Sequence, residues 1–415
     1  MTATAHFPRF VEPRLLEALG DSPAVLIHGP RQCGKTTLAR ALGDRDGYRY
    51  TTFDDDVARS AAESDPIGFV ASLHERSILD EVQRVPALFT SIKHAIDRDR
   101  RPGRFLLTGS ANVLLIPNLS DSLAGRMEIV HLHPLSQGEM AGREPRFLDQ
   151  LFAGTFPGRR GSRLGDTLIE TIVAGGYPAA LQRSTPRRRS TWYRTYVQSL
   201  VERDVREISR ISSLDALPRL LTAIAAQSAQ LLNVTDLSAP FSLSRPTIRD
   251  YVTVLQRVFL VDILPPWHSN RLKRLVKTPK VHIGDTGVAC ALLGVDAAAL
   301  RDDRTLLGHL LETFVFQELR RQASWHEDAH SFLHFRDKDG VEVDMVIERG
   351  AREVTGVEVK LSATVTDADF RALRKLGEAA GRRFKGGVVL YDGDTTAPFG
   401  PGMWAVPLGA LWETV

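Results

Sequence analysis

The segment at residues 24–43, AVLIHGPRQCGKTTLARALG, is the strongest constraint in the chain. A short apolar run of buried-strand type passes directly into a glycine-rich turn and then into helix-forming residues. That strand, loop and helix order predicts an α/β fold with the loop at the end of a buried strand. Gly29, Pro30, Arg31, Gln32, Cys33, Gly34, Lys35 and Thr36 satisfy the spacing GxxxxGK[ST]. This spacing has a physical cause. Successive backbone N–H groups and the positive end of the following helix surround a phosphate, and the glycines permit its close approach. Lys35 is then placed for the β- and γ-phosphates, the Thr36 hydroxyl for Mg²⁺ and Thr37 for the α-phosphate. The expected ligands are ATP and Mg²⁺.

Hydrolysis needs an acidic element, and residues 77–81, SILDE, form an apolar run ending in two carboxylates. Asp80 is suited to hold Mg²⁺ through water, and Glu81 to orient or deprotonate the attacking water. A third buried run, RFLLTGS at 104–110, ends in Thr108 and Ser110, which can sense the γ-phosphate. Arg126 follows a helical stretch in the sequence LAGR, where it suits a finger or sensor at the γ-phosphate.

The series GPRQCGKTT, ILDEVQRVP, LLTGSAN and LAGR, followed by His133-Pro134-Leu135-Ser136 and Glu139, is similar to a widespread prokaryotic family. That family comprises AAA+-like P-loop ATPases (AAA_14 type) with a C-terminal DUF4143 region. The resemblance covers essentially the whole chain and implies an ATPase domain over residues 1–150, with Gln83 a family-typical position. Cys33 stands where a small aliphatic residue is expected, which would expose a thiol at the phosphate loop to oxidation or alkylation.

Composition sets the limits on everything else. The 415 residues suffice for two or three domains, with 43% apolar and 25% charged residues. Lys and Arg total 53 against 50 Asp and Glu, so the net charge of +3 argues for no anionic partner by itself. Two cysteines exclude a disulfide scaffold and a multi-cysteine zinc site. No run of about 18 apolar residues and no basic-then-apolar leader pattern is present, so the expectation is a cytoplasmic protein without a membrane span.

Beyond a Gly-, Pro- and Arg-rich connector at about 147–163, a second module is expected over residues 165–300. Gly175-Gly176-Tyr177-Pro178, Trp192, Tyr193, Tyr196 and Arg203-Asp204-Val205 resemble the opening motifs of the DUF4143 region. Residues 182–210 carry eight arginines, suiting either a solvated helix face or an anion site. Within 214–259 a short helix, a small-residue turn and a second helix form a helix-turn-helix pattern, which the resemblance makes winged-helix-like. Ser244, Arg245, Thr247 and Arg249 would then face DNA from the first turn of the second helix. Residues 268–282 hold Arg271, Lys273, Arg274, Lys277 and Lys280 with no acid, a stretch expected to be extended and exposed and able to neutralise phosphates. Asp285-Thr286-Gly287 occurs once, without the second copy an aspartic protease requires.

Over residues 301–415 the pattern is helix, three strands, helix, strand. It places Glu312, Asp344, Glu358 and Lys360 where two carboxylates and an ammonium can converge. This resembles the PD-(D/E)xK nuclease superfamily, with Asp344 and Glu358 as a second possible Mg²⁺ site. His326, His330 and His334 are surface histidines in this reading. The expected function is an ATPase that couples nucleotide state to DNA binding or processing. If Arg126 acts across subunits, the active form is a homo-oligomer. The alternatives are an ATP-dependent Mg²⁺ nuclease in defence or DNA processing, and a non-catalytic, antitoxin-like switch gated by nucleotide.

Overall fold

The computed structural model of the chain describes residues 7–110, 123, 125–158, 160–206, 216–270, 274 and 277–413. It is a mixed α/β protein built around three sheets. The first is formed by β1 (Ala24–His28), β2 (Arg49–Thr52), β3 (Ser77–Asp80), β4 (Phe105–Gly109) and β5 (Met127–His131), in the spatial order β2-β3-β4-β1-β5. Every pairing is parallel. Helices cover both faces, so β1, β3 and β4 are buried along their whole length and appear in the sequence as unbroken apolar runs. Because β4 lies between β1 and β3, the glycine-rich loop after β1 and the acids after β3 stand two strands apart. That gap is about 10 Å, enough to admit a phosphate chain.

The second sheet, β6 (Gln230–Leu231), β7 (Val261–Leu264) and β8 (Lys280–Ile283), is antiparallel in the order β6-β8-β7. It is interleaved with the helices Ala216–Ala226, Val234–Ser238 and Arg245–Arg257 in a helix, strand, helix, helix, hairpin sequence. Asn233 and Ser244 start the last two of these helices, each accepting hydrogen bonds from backbone N–H groups of the first turn.

The third sheet runs in the order β13-β14-β12-β11-β10-β9, comprising β9 (His330–Arg336), β10 (Glu342–Arg349), β11 (Glu353–Lys360), β12 (Phe384–Tyr391), β13 (Ala397–Pro398) and β14 (Met403–Pro407). The expected succession is present: the helix Arg304–Trp325, then β9, β10 and β11, then the helix Arg371–Ala380, then β12. The long helix packs against both the middle module and this sheet. One hydrophobic core therefore runs without interruption from Phe147 to Leu411, across the boundary expected near residue 300.

The stretch expected as a connector begins as structure. Phe147–Ala153 is a helix whose Phe147, Leu148, Leu151 and Phe152 are buried. It packs on β12 and closes at Gly154, whose carbonyl accepts from Trp404 Nε1 at 2.9 Å. Its apolar residues have helical spacing, which the glycines and prolines after it obscure. Among the described residues no helix is long and apolar enough to cross a membrane.

Candidate functional site: a nucleotide cleft between two modules

The turn after β1 is shaped by two backbone requirements. A Cβ on Gly29 would stand 2.0 Å from the Leu132 carbonyl oxygen, and Gly34 has φ +104. Lys35 opens the next helix and is 5% exposed; its Nζ donates to the carbonyls of Gly29 and Pro30, both at 2.9 Å. Thr36 Oγ1 donates to Asp80 at 3.0 and 3.2 Å, and Tyr50 Oη donates to the same carboxylate at 2.6 Å. Burial first, and then the hydrogen bond to Asp80 and its charge, push the Tyr50 phenol up to about 12, so it remains a donor at neutral pH. Thr108 Oγ1 also donates to Asp80 and accepts from Glu81 N at 3.2 Å. Gln83 Nε2 bridges Glu81 and Ser110, the latter at 3.1 Å. Residues expected from the sequence at three strand ends thus form one hydrogen-bonded chain, to which the structure adds Tyr50.

Lys35, Thr36 and Glu81 open onto a cleft of about 490 Å³, which Arg31, Gln32, Gly34 and Thr37 also line. Its walls are Asp54, Glu81 and Arg84 on one side and Pro178, Ala179, Gln182 and Arg203 on the other. An apolar recess of about 150 Å³ adjoins it, lined in part by Phe7, Leu38, Ala41, Leu135 and Pro178. One wall of the cleft therefore comes from the middle module, which the phosphate-loop pattern could not indicate.

Several contacts tie the loop to that module. Arg31 Nε lies 2.9 Å from Asp204 Oδ2, and Asp204 is 1% exposed. The Arg31 carbonyl accepts from Tyr196 Oη at 3.1 Å, and Tyr196 stacks on Trp192 with ring planes 9° apart. From below, Arg9 donates to the Cys33 carbonyl at 2.7 Å, to the His133 carbonyl at 2.6 Å and to Glu139 at 2.9 Å. Glu139 completes a capping box with Ser136. The Ser136 and Glu139 pair in the sequence therefore anchors the arginine that braces the loop.

Five expectations are corrected here. Arg126 lies immediately before β5, at the edge of the parallel sheet opposite the loop that leaves β1. The intervening strand is about 15 Å long, and Arg126 Nε sits 2.7 Å from Asp97 Oδ1. It cannot touch a phosphate of its own chain; Arg31, Arg84 and Arg203 line the cleft instead. Cys33 is fully buried, its thiol is 3.4 Å from the Leu132 carbonyl, and burial pushes its pKa up, so it lacks the exposed thiolate that alkylation requires.

The basic stretch 268–282 is not a free cationic strand. Arg274 binds Glu348 through two nitrogens, each at 2.8 Å; Lys277 donates to the Arg336 carbonyl; and Lys280 is 2% exposed. Trp267 beside it is buried. Arg271 and Lys273 lie outside the described residues. Ser244, Arg245 and Arg249 are exposed at the start of the helix Arg245–Arg257, and the half-buried Thr247 donates its N–H to Ser244 Oγ at 3.2 Å.

Asp344, Glu358 and Glu312 do converge, but lysines already stand among them. Lys280 Nζ is 2.8 Å from Glu312 and 3.5 Å from Asp344, while Lys360 Nζ is 2.8 Å from Glu358. Burial, with Asp344 next, raises Glu358 to about 8. Among the described residues no group of three or more His, Cys, Asp or Glu is arranged to hold a metal ion. With Lys280 and Lys360 in place, the cluster does not fit the second Mg²⁺ site expected from Asp344 and Glu358. His334 is 1% exposed and its pKa is lowered to about 4, chiefly by burial, so it is not a surface histidine. Asp285 is structural: it caps the helix Thr286–Leu293 and pairs with Arg321 at 3.1 Å.

With this geometry in view, residues 21–141 match the family described as AAA domain, and residues 307–411 match the domain of unknown function DUF4143. The chain is a P-loop protein of the AAA type with a C-terminal DUF4143 region. Residues 165–299 match another domain of unknown function, DUF8612, so the motifs at 175–205 fall there rather than in DUF4143. Two uncharacterized proteins, from Mycobacterium bovis and Mycobacterium tuberculosis, are each 29% identical over 403 residues, covering 97% of this chain and 83% of the relative. Among solved structures, a Walker-type ATPase of Pyrococcus abyssi is 17% identical, covering 69% of this chain and 96% of its own, with a TM-score of 0.44. A RuvB mutant of Thermotoga maritima is 18% identical, covering 61% and 89%, with a TM-score of 0.28.

Proposed function

We propose that the AAA domain binds and hydrolyses ATP in the cleft between it and the DUF8612 module. The observation that carries this reading is the contact of Thr36 with Asp80 at 3.0 Å, where Thr36 lines a cleft that also presents Lys35 and Glu81. Thr36 and Asp80 are hard oxygen donors and would hold Mg²⁺, which supplies neutralisation of phosphate charge when bound. Backbone N–H groups of the loop cradle the phosphates, Lys35 exchanges its two carbonyl contacts for phosphate oxygens, and Gln83 orients Glu81 toward the attacking water. Phe7, Leu38, Leu135 and Pro178 offer an apolar recess to the base. Lys35→Ala is expected to abolish turnover, and Glu81→Gln to lower kcat by about 100-fold or more while leaving nucleotide binding intact. Full turnover in Lys35→Ala would place the site elsewhere.

The output of that site in this reading is a nucleotide-dependent contact with DNA. The exposed first turn of the helix Arg245–Arg257, with the helix, strand, helix, helix, hairpin order around it, supports a winged-helix-like reader. Binding to duplex DNA should weaken with salt, and Arg245→Ala or Arg249→Ala should reduce the salt slope by about 1 each. An affinity that is flat in salt and equal in ATP and ADP removes this part of the reading. A homo-oligomer remains part of it only through Arg126 acting on a neighbouring chain. An ATPase rate independent of protein concentration, and unchanged in Arg126→Ala, would exclude that role.

A further inference from the structure

The acid cluster in the DUF4143 domain contains an ammonium that the rest of that domain does not supply. Lys280 belongs to β8 of the preceding module, yet its Nζ lies 2.8 Å from Glu312 Oε1, 2.5 Å from Glu342 Oε1 and 3.5 Å from Asp344 Oδ1. The three carboxylates come from the helix Arg304–Trp325 and from β10. A fourth, Glu358 on β11, accepts from Lys360 through Oε1, while its Oε2 is buried without a hydrogen-bond partner. Asp344 Oδ2 is held by the Val359 N–H at 2.9 Å. Four carboxylates thus face two ammonium groups, and one buried oxygen is left over.

Oxygen donors converging from two strands and a helix are the hard set that Mg²⁺ or Mn²⁺ takes, at about 2.1 Å. An ammonium makes the same contacts at hydrogen-bond distance with one positive charge instead of two, which leaves the cluster short of charge. The lysine is delivered by a fixed element. β8 is the central strand of its sheet, with Lys280 paired to Leu264 on one side and Leu231 on the other. The chain leaving β7 is hydrogen-bonded onto β9, through Trp267 N to the His334 carbonyl at 2.5 Å and His334 N to the Pro265 carbonyl at 2.9 Å. Glu348 then clamps both Trp267 and Arg274.

We propose that Lys280 is the resident cation of this four-carboxylate cluster. The DUF4143 domain carries a latent divalent-cation site closed by a side chain of the DUF8612 module, and the pair works as a metal-free junction rather than as a metal-dependent phosphodiesterase.

The test is Mn²⁺ binding to the full chain without nucleotide, read from the free-ion electron paramagnetic resonance signal. The wild type should show no Mn²⁺ binding that Asp344→Asn removes. Lys280→Met, which keeps the aliphatic stem, should gain one Mn²⁺ per chain at least 10-fold tighter than any wild-type binding, lost again in Lys280→Met with Asp344→Asn. If Lys280→Met is unstable without metal, its Tm should rise with added Mn²⁺. Lys280→Met with Glu342→Gln, which removes one charge of each sign, provides a second folded background for the same titration. The proposal is overturned by wild-type Mn²⁺ binding that Asp344→Asn abolishes, or by either folded Lys280 variant binding no Mn²⁺. These readouts do not depend on ATP turnover.

Discussion

The ion pair between Arg31 and Asp204 joins the phosphate loop to the neighbouring module, and its removal has a calculable consequence. At an effective dielectric of about 20, unit charges 2.9 Å apart attract by about 6 kcal/mol. Desolvation of the buried Asp204 offsets much of this. Arg31 retains 28% side-chain exposure, so it is partly hydrated when left alone, and the net coupling should be about 2 kcal/mol. A double-mutant cycle of Arg31→Ala, Asp204→Ala and both together isolates that term. Native-state hydrogen exchange of residues 186–206 supplies the assay, because local opening of the helix Pro186–Leu200 and the π-turn Val201–Val205 separates Asp204 from the loop. A coupling of about 2 kcal/mol changes protection about 30-fold. If the two single effects add to the double-mutant effect within about 0.5 kcal/mol, the pair does not hold the modules together and the reasoning fails.

Arg321 contacts three parts of the chain, donating to the Leu135 carbonyl at 2.9 Å and pairing with Glu318 and Asp285 while 4% exposed. Arg321→Met should cost about 3–5 kcal/mol by chemical denaturation, since two carboxylates lose their counter-ion; a loss under 1 kcal/mol would refute this. Cys33 and Cys290 are both buried with thiols pushed upward, so a disulfide reagent should titrate neither in the native protein and both after unfolding. Rapid native labelling of Cys33 would contradict the packing of the loop. His28 is 5% exposed, its ring nitrogens have no hydrogen-bond partner, and its pKa is lowered to about 3, first by burial and then by His131 and Lys35. Between pH 6.5 and about 3 the unfolded chain binds a proton there that the folded chain does not, so this contribution is present above pH 6.5 and lost as pH falls. The stability difference between wild type and His28→Leu should shift against the wild type by up to about 1.4 kcal/mol per pH unit below 6. A difference constant from pH 7 to 5 would show that His28 is not buried neutral.

The nucleotide cleft was legible in the sequence where chemistry fixes spacing. The loop at 29–36, the acids ending β3 and the Thr108 and Ser110 hydroxyls ending β4 all mark the ends of adjacent buried strands. The second wall was not legible, although residues that brace it stood out. Trp192, Tyr196 and Arg203-Asp204 form a recognisable pattern, but Tyr196 meets the Arg31 carbonyl across 165 positions, and no local periodicity encodes such a contact. Tyr50 gave no signal at all, since a tyrosine on a short edge strand is ordinary; only the pairing of β2 with β3 brings its hydroxyl to Asp80. Arg126 shows the opposite error, because an arginine after a helix suggests a finger until the direction of β5 puts it at the far edge of the sheet.

Lys280 illustrates why charge counting fails at a strand covered on both faces. In KVHI the polar residues alternate with apolar ones, the pattern of a half-exposed strand, yet all four residues are buried. The apolar side chains join the core, and Lys280 turns to carboxylates supplied by elements much later in the chain. An ammonium can be buried in this way only if its charge is met, and meeting it fixes the register of β8 against β10 and the helix Arg304–Trp325. The contacts around the phosphate loop follow the same rule, since Arg9, Arg31 and Arg321 each lose solvent and each find an acid or carbonyl on another element. The modules are therefore positioned by buried cations as well as by apolar packing. Arg203, which lines the cleft from the middle module, is held there by the contact of the neighbouring Asp204 with Arg31.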